Sequence, residues 1–214
     1  MKKAELIPIY KNIENALVKA IELYQEGRIF AYPTDTIYGL GGNPFNSKVV
    51  ERIVTIKQRD ASKNFIYLVS SLNSLYKYVE LPNSNIQHFL TKLIHQPVTL
   101  VLNLKKEFSK ILSRQDAAFR IPSEQFCLEL LSRLNQPLIS TSVNRAEMNP
   151  LNDKNDILME FGEEIDVIFY SDSATQKKAS TIISLKTNEP LLIREGNVSF
   201  DEIVKLFKFA NETF

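Results

Sequence analysis

Cysteine is almost absent from this 214-residue chain. Cys127 is the single one, so no disulfide can form within it. It stands in EQFCLELL on an apolar helical stripe with Leu130 and Leu131, where a free thiol acts as a small core residue. Histidine is scarce too. His88 and His95 are the only two, which removes a Cys/His zinc site. A metal ion carried by substrate phosphates needs no such cluster. An excess of one charge sign is also missing, since 26 basic side chains face 25 acidic ones. Proteins that grip nucleic acid by its backbone ordinarily show a clear basic excess, so general nucleic-acid binding is disfavoured. No stretch is apolar and long enough for a membrane span. MKKAELIPIYKN has no sustained apolar run after its lysines, hence no signal-peptide pattern, and the default location is the cytoplasm. The phosphate-loop pattern GxxxxGK[ST], GxGxxG and the GxSxG elbow are all missing. An enzyme built this way works by positioning substrates and neutralising charge, not through a nucleophile.

With 44% hydrophobic and 24% charged residues, the chain can bury the core of one substantial domain. Ile13, Leu17, Ala20, Ile21 and Tyr24 recur at helical spacing, which predicts a helix over about Lys11–Gly27 stopped by its glycine. Arg28–Tyr32 reads as a short strand. Ser47 is the expected cap of a helix over SKVVERIVTIKQ, with Val49, Ile53 and Ile56 as its buried stripe. Phe65–Val69 reads as a strand, Leu72–Val79 and Ser84–His95 as helices, and VTLVLNL at Val98–Leu104 as a buried strand. Ala118–Ile121 is a further strand, Ser123 opens a helix to about Asn135, and Pro137–Thr141 is again a strand. Val167–Tyr170, Thr181–Leu185 and Leu191–Arg194 follow as strands. Ser199 with Glu202 marks a capping box before the last helix. Helices and strands interspersed over the whole length, without a regular βαβ alternation, predict an α/β domain with a twisted mixed sheet and helices packed around it. The polar stretch Arg145–Lys154 is expected to be a mobile loop.

Four segments carry chemistry. Tyr32–Gly42, YPTDTIYGLGG, holds the hydroxyls of Thr34, Thr36 and Tyr38, one carboxylate and three of the six glycines. If extended, it points Thr34, Thr36 and Tyr38 to one side. It is either a polar turn or a ligand-holding loop. Lys57 and Arg59 form either a solvated basic helix end or a phosphate clamp, the latter only if the helix stops near Lys57. Ser140, Ser142 and Asn144 alternate after a strand, either as an ordinary polar loop or, because α/β sheets gather ligands at such ends, as contacts for a phosphate or a base. Ser180 enters one strand and Arg194 leaves another, either a strand-edge hydroxyl and a surface salt bridge or contacts for a carboxylate and a phosphate.

In order and in company, these pieces resemble the YrdC-like threonylcarbamoyl-adenylate synthase family. The matching segments are PTDTIYGLG at Pro33–Gly41, KQR at Lys57–Arg59, PVTLVL at Pro97–Leu102, RIP at Arg120–Pro122, STSVNR at Ser140–Arg145, ASTII at Ala179–Ile183 and IREG at Ile193–Gly196. The resemblance implies that residues 1–214 form a single YrdC-like domain with a concave charged cavity, without the extra C-terminal domain of longer members. It implies that L-threonine, bicarbonate or CO2, and ATP become threonylcarbamoyl-AMP and pyrophosphate, with Mg2+ entering alongside ATP and no metal site on the protein itself. The product then passes to a tRNA threonylcarbamoyl transferase complex, a role that needs weak or no direct tRNA binding. Thr34, Thr36, Tyr38, Ser140 and Ser180 are the implied threonine-side residues. Lys57 and Arg59 are the implied catalytic cations on the triphosphate, and Ser142, Asn144 and Arg194 complete the ATP side. Asp60, His95-Gln96, Val143 and Ala146-Glu147 depart from the family pattern, Asp60 placing a carboxylate near the phosphates and Val143 adding bulk near the nucleotide. The competing readings are a non-catalytic YrdC-like RNA-binding paralogue and a carbamoyl transferase acting on another acceptor.

Overall fold

The computed structural model describes residues 3–58, 60, 64–94, 96–172 and 178–212. Arg59 and His95 lie outside them. The chain opens with β1 (Glu5–Pro8) and a 3-10 turn, then α1 (Ile13–Gln25) and β2 (Phe30–Tyr32). Asn12 caps α1, and Gly27 takes the left-handed φ of 68° that lets the chain turn into β2. β3 (Gly39–Gly41), α2 (Ser47–Lys57), β4 (Ile66–Leu68) and α3 (Leu72–Leu75) follow. Next come β5 (Val79–Glu80), α4 (Ser84–Leu93), β6 (Val98–Leu104), α5 (Lys106–Leu112) and β7 (Asp116–Arg120). The last part holds α6 (Gln125–Leu134), β8 (Leu138–Ser142), α7 (Lys154–Phe161), β9 (Val167–Tyr170), β10 (Thr181–Ser184), β11 (Leu191–Arg194) and α8 (Phe200–Glu212).

The strands join in the order β1-β9-β2-β3-β8-β4-β7-β6-β10-β11, with β5 paired to β6. The sheet is mixed as expected. β1, β2 and β9 pair in parallel, as do β4 with β7 and β6 with β10. β3 and β8 run antiparallel to their neighbours, and β10 and β11 form an antiparallel pair. Alternation along the strands separates two cores. Phe30, Tyr32, Leu68, Leu138, Val167 and Phe169 pack with α1 and α6 on one face. Ala31, Leu40, Tyr67, Ile139 and Ile168 pack with α2, α4, α7 and α8 on the other.

Several local expectations change. Asn46, not Ser47, caps α2, its side-chain oxygen accepting from the Lys48 N–H. Glu124, not Ser123, caps α6, accepting from the Cys127 N–H. The helix expected over Leu72–Val79 stops at Leu75, because Val79 and Glu80 pair with Leu104 and Asn103 of β6. The capping box is as expected: Ser199 Oγ accepts from Glu202 N–H at 3.3 Å, and Glu202 accepts from Ser199 N–H at 3.2 Å.

The stretch expected to be a mobile loop is tied down. Leu151 N–H donates to Val143 carbonyl, Ala146 N–H to Lys57 carbonyl, and the Asn144 amide to Met148 carbonyl. Arg145 donates to the Ile56 carbonyl at 2.6 Å, pairs with Glu160 and Glu164, and lies 4.3 Å from the centre of the Phe161 ring. It is a strut between α2 and α7. Among the described residues no helix is long and apolar enough to cross a membrane.

Candidate active site

Sheet register decides which side chains meet. Ile66 lies opposite Ser140 across β4 and β8, and Leu68 opposite Arg120 across β4 and β7. Cross-strand partners share a face, here the face on which α1 and α6 sit. Beyond those helices this face carries a cavity of about 250 Å3, with Thr34, Thr36, Tyr38, Ser140, Ser142, Ser180 and Arg194 all in its lining. It adjoins a wider mouth of about 810 Å3, bordered by Lys178, Glu195 and Asn197, and the two share Ile37, Pro150, Ala179 and Arg194.

The segment after β2 is bent at Asp35–Ile37 instead of extended, yet it still gathers its hydroxyls. Thr34 Oγ1 lies 3.0 Å from Thr36 Oγ1, accepts from Thr36 N–H at 3.0 Å and donates to Ile37 carbonyl at 2.7 Å. Arg120 Nη1 donates to Thr36 Oγ1 at 2.6 Å. Proton bookkeeping sets the direction of this chain. A carbonyl only accepts and a guanidinium only donates, so the order runs Arg120 to Thr36 to Thr34 to Ile37. The Thr34 hydroxyl then gives one bond and accepts two. Thr36 keeps one unused acceptor position. Tyr38 is buried, and desolvation pushes its phenol pKa up to about 12. Its N–H donates to the Asn152 side chain at 3.1 Å, docking the 143–153 segment on this loop.

Arg120 is the residue that sequence reasoning missed. It ends β7, is 5% exposed, and pairs with Asp35 at 2.5 Å. RIP was visible as a motif, but nothing in the sequence showed that Asp35 lies against it. Cys127 is a buried thiol whose Sγ donates to Pro33 carbonyl at 3.4 Å, and burial raises its pKa well above the ordinary thiol value. It anchors the start of the loop as an unreactive core group.

α2 ends at Lys57, the condition for a usable cation there, and Gln58 takes a left-handed φ of 48°. Lys57 is 3% exposed. Its ammonium donates to Ser142 carbonyl and Asn144 Oδ1, both at 2.5 Å, while Ser142 Oγ also donates to Asn144 Oδ1 at 2.6 Å. Lys57 thus joins the end of β8 rather than standing alone, and Asn144 reaches the cavity only through Ser142. Asp60 is exposed. Val143 is fully buried in the core shared with α2 and α7, so its bulk points away from the cavity, contrary to expectation. The strand period that turns Ser142 toward the cavity turns Val143 away from it.

Ser180 is 3% exposed, and its carbonyl accepts from Arg194 Nη2 at 2.8 Å. Among the described residues Arg194 has no ion-pair partner, and partial desolvation lowers its pKa from the ordinary guanidinium value. No group of three or more His, Cys, Asp or Glu suited to a metal ion occurs among the described residues.

The fold is a mixed α/β sheet with a polar cavity at its strand ends, bordered by Arg120, Arg194 and Lys178. Comparison with known proteins places this fold in a family. Residues 22–196 match the model of the Sua5/YciO/YrdC family, whose description reads "Telomere recombination", and the chain belongs to that family. A threonylcarbamoyl-AMP synthase of Histophilus somni is 30% identical over 185 residues, 84% of this chain and 99% of that protein. The crystal structure of E. coli YciO superposes with a TM-score of 0.82 at 26% identity, covering 95% of this chain and 100% of that one. P. abyssi Sua5 complexed with L-threonine gives 0.82 at 25% identity and covers 90% of this chain, which spans 57% of the longer Sua5.

Proposed function

We propose that this protein is an L-threonylcarbamoyladenylate synthase, a nucleotidyltransferase that supplies threonylcarbamoyl-AMP for tRNA modification. The observation that carries the reading is the two-part cavity. Its inner part, about 250 Å3, suits an amino acid. Its outer mouth, about 810 Å3, suits a nucleotide, and Arg194 borders both. The relative's name and the L-threonine bound to Sua5 support this choice of substrates.

In this reading Thr36 offers its spare acceptor to the threonine amine, with Thr34 and Tyr38 shaping the pocket and Ser140 lining it. Arg120 and Ser180 face the carboxylate. The neutral amine adds to CO2 and releases a proton to solvent, or condenses with bicarbonate with loss of water, to give a carbamate. A carbamate oxygen then attacks the α-phosphorus of ATP. The new P–O bond forms as the α–β bridge breaks, and pyrophosphate leaves with the electron pair. Lys57, Arg59 and Arg194 offset the negative charge that gathers on the phosphate oxygens. Ser142 and Asn144 hold the Lys57 ammonium beside the nucleotide. No step needs a nucleophilic side chain. The chemistry is alignment plus charge neutralisation. A magnesium ion entering on the triphosphate would, when bound, withdraw charge from the leaving pyrophosphate.

Pyrophosphate release by the purified protein with magnesium tests the reading. Release is expected only when L-threonine and bicarbonate are both present. No release under those conditions, together with retention of RNA, selects the non-catalytic paralogue instead.

A further inference from the structure

The cavity wall at Ser180 is fixed from three sides. Arg194 holds the Ser180 carbonyl. Thr181 Oγ1 accepts from Gly196 N–H at 3.0 Å and from Val198 N–H at 3.1 Å, and donates to the Val198 carbonyl. A Cβ at position 196 would meet Ala179 oxygen at 2.3 Å and Ser180 carbonyl carbon at 2.5 Å, so only glycine lets the two backbones touch. With the main chain held, the freedom left to Ser180 is its side-chain torsion and its hydroxyl proton.

Both are set by a residue from another strand. Thr99, in β6, is completely buried. Its hydroxyl lies 2.8 Å from that of Ser180, across the parallel pairing that sets Thr99 opposite Ile182. Among the described residues Thr99 Oγ1 has no second side-chain partner. A buried hydroxyl without a partner is destabilising, so the pair persists. A hydroxyl both donates and accepts. When Thr99 donates, the Ser180 proton is released toward the cavity for a carboxylate. When Thr99 accepts, a Ser180 lone pair faces an amine.

We propose that Thr99 is a positioning residue for the amino-acid substrate, acting through the Ser180 hydroxyl. The proposal rests on the threonine reading of the cavity. Thr99→Val keeps the shape and removes the hydroxyl, while Thr99→Ser keeps the hydroxyl and removes the methyl. In steady-state kinetics T99V raises KM for L-threonine roughly three- to tenfold, the effect of one neutral hydrogen bond. KM for ATP stays within about twofold, and T99S restores KM for threonine to within about twofold, inside the context spread of such single bonds. An unchanged KM for threonine in T99V overturns the proposal. Equal damage in T99S and T99V also overturns it, because packing then accounts for the effect.

Crystal structures of the two variants without ligand read the geometry directly. Ser180 is expected in more than one rotamer in T99V and in one in T99S. A single unchanged rotamer in T99V refutes the positioning role. Failure of the wild-type protein to bind L-threonine by calorimetry overturns the substrate reading instead, and the rotamer comparison still decides what Thr99 does to Ser180.

Discussion

Replacing Arg120 by methionine tests how the cavity is held together. The guanidinium is 5% exposed and its Asp35 partner 14%. Methionine keeps the apolar stem and removes the charge. Asp35 Oδ2 then loses its partner, while Oδ1 is buried without one already, and Thr36 loses the donor that orders the hydroxyl chain. Truncating one member of a buried ion pair costs about 3–5 kcal/mol. The edge of Asp35 that still meets water argues for the lower figure, about 3 kcal/mol. For a domain of this size that lowers Tm by roughly 6–12 °C. The loss belongs mainly to the stranded carboxylate, so Asp35→Asn added to Arg120→Met should recover part of it. A double-mutant cycle by urea unfolding is expected to show a coupling of about 2 kcal/mol. Additive effects, or a Tm change in R120M below about 2 °C, would refute the account of this pair.

Lys57→Ala is expected to lower turnover at least tenfold, since one charge-assisted contact is worth roughly 1.5–3 kcal/mol. Because the ammonium also holds Ser142 and Asn144, Asn144→Ala should reproduce part of the loss, and near-normal kinetics in Lys57→Ala would show that the phosphates lie elsewhere. Tyr38 gives a pH prediction. Its phenol pKa is raised from 10.0 to about 12, first by desolvation, so the folded state holds that proton more tightly than the unfolded one. The associated stability is complete below pH 10 and is lost as pH rises toward 12. Tyr38→Phe should therefore flatten the stability profile across that window, and identical slopes in both proteins would contradict the burial of this hydroxyl.

What was legible in the sequence follows from periodicity. α1, α2 and β6 were visible because their apolar residues repeat at helical or strand spacing over seven or more residues. α5 escaped because it buries none of its side chains, and β3 because GLG has two glycines among three residues. α7 was hidden beside a polar stretch, with only Ile157 and Phe161 buried. The caps at Asn46 and Glu124 were missed because each stands next to a serine that fits the same rule. Within the site, same-side placement of Ser140 and Ser142 could be read from alternation. The same rule turns Val143 into the core. Arg120 was not legible, since its importance comes from Asp35 and Thr36, 85 and 84 positions away. Nor was Thr99, which in sequence is one apolar-strand residue among several and gains meaning only when β6 pairs with β10.

Isotope tracing tests the central claim most directly. The protein is incubated with ATP, magnesium, L-threonine and carbon-13-labelled bicarbonate, and the nucleotide products are read by mass spectrometry. A threonine-dependent AMP adduct carrying the labelled carbon in its carbamoyl group is the predicted product. An AMP adduct of threonine without that carbon, or unchanged ATP with fully folded protein, would contradict the account.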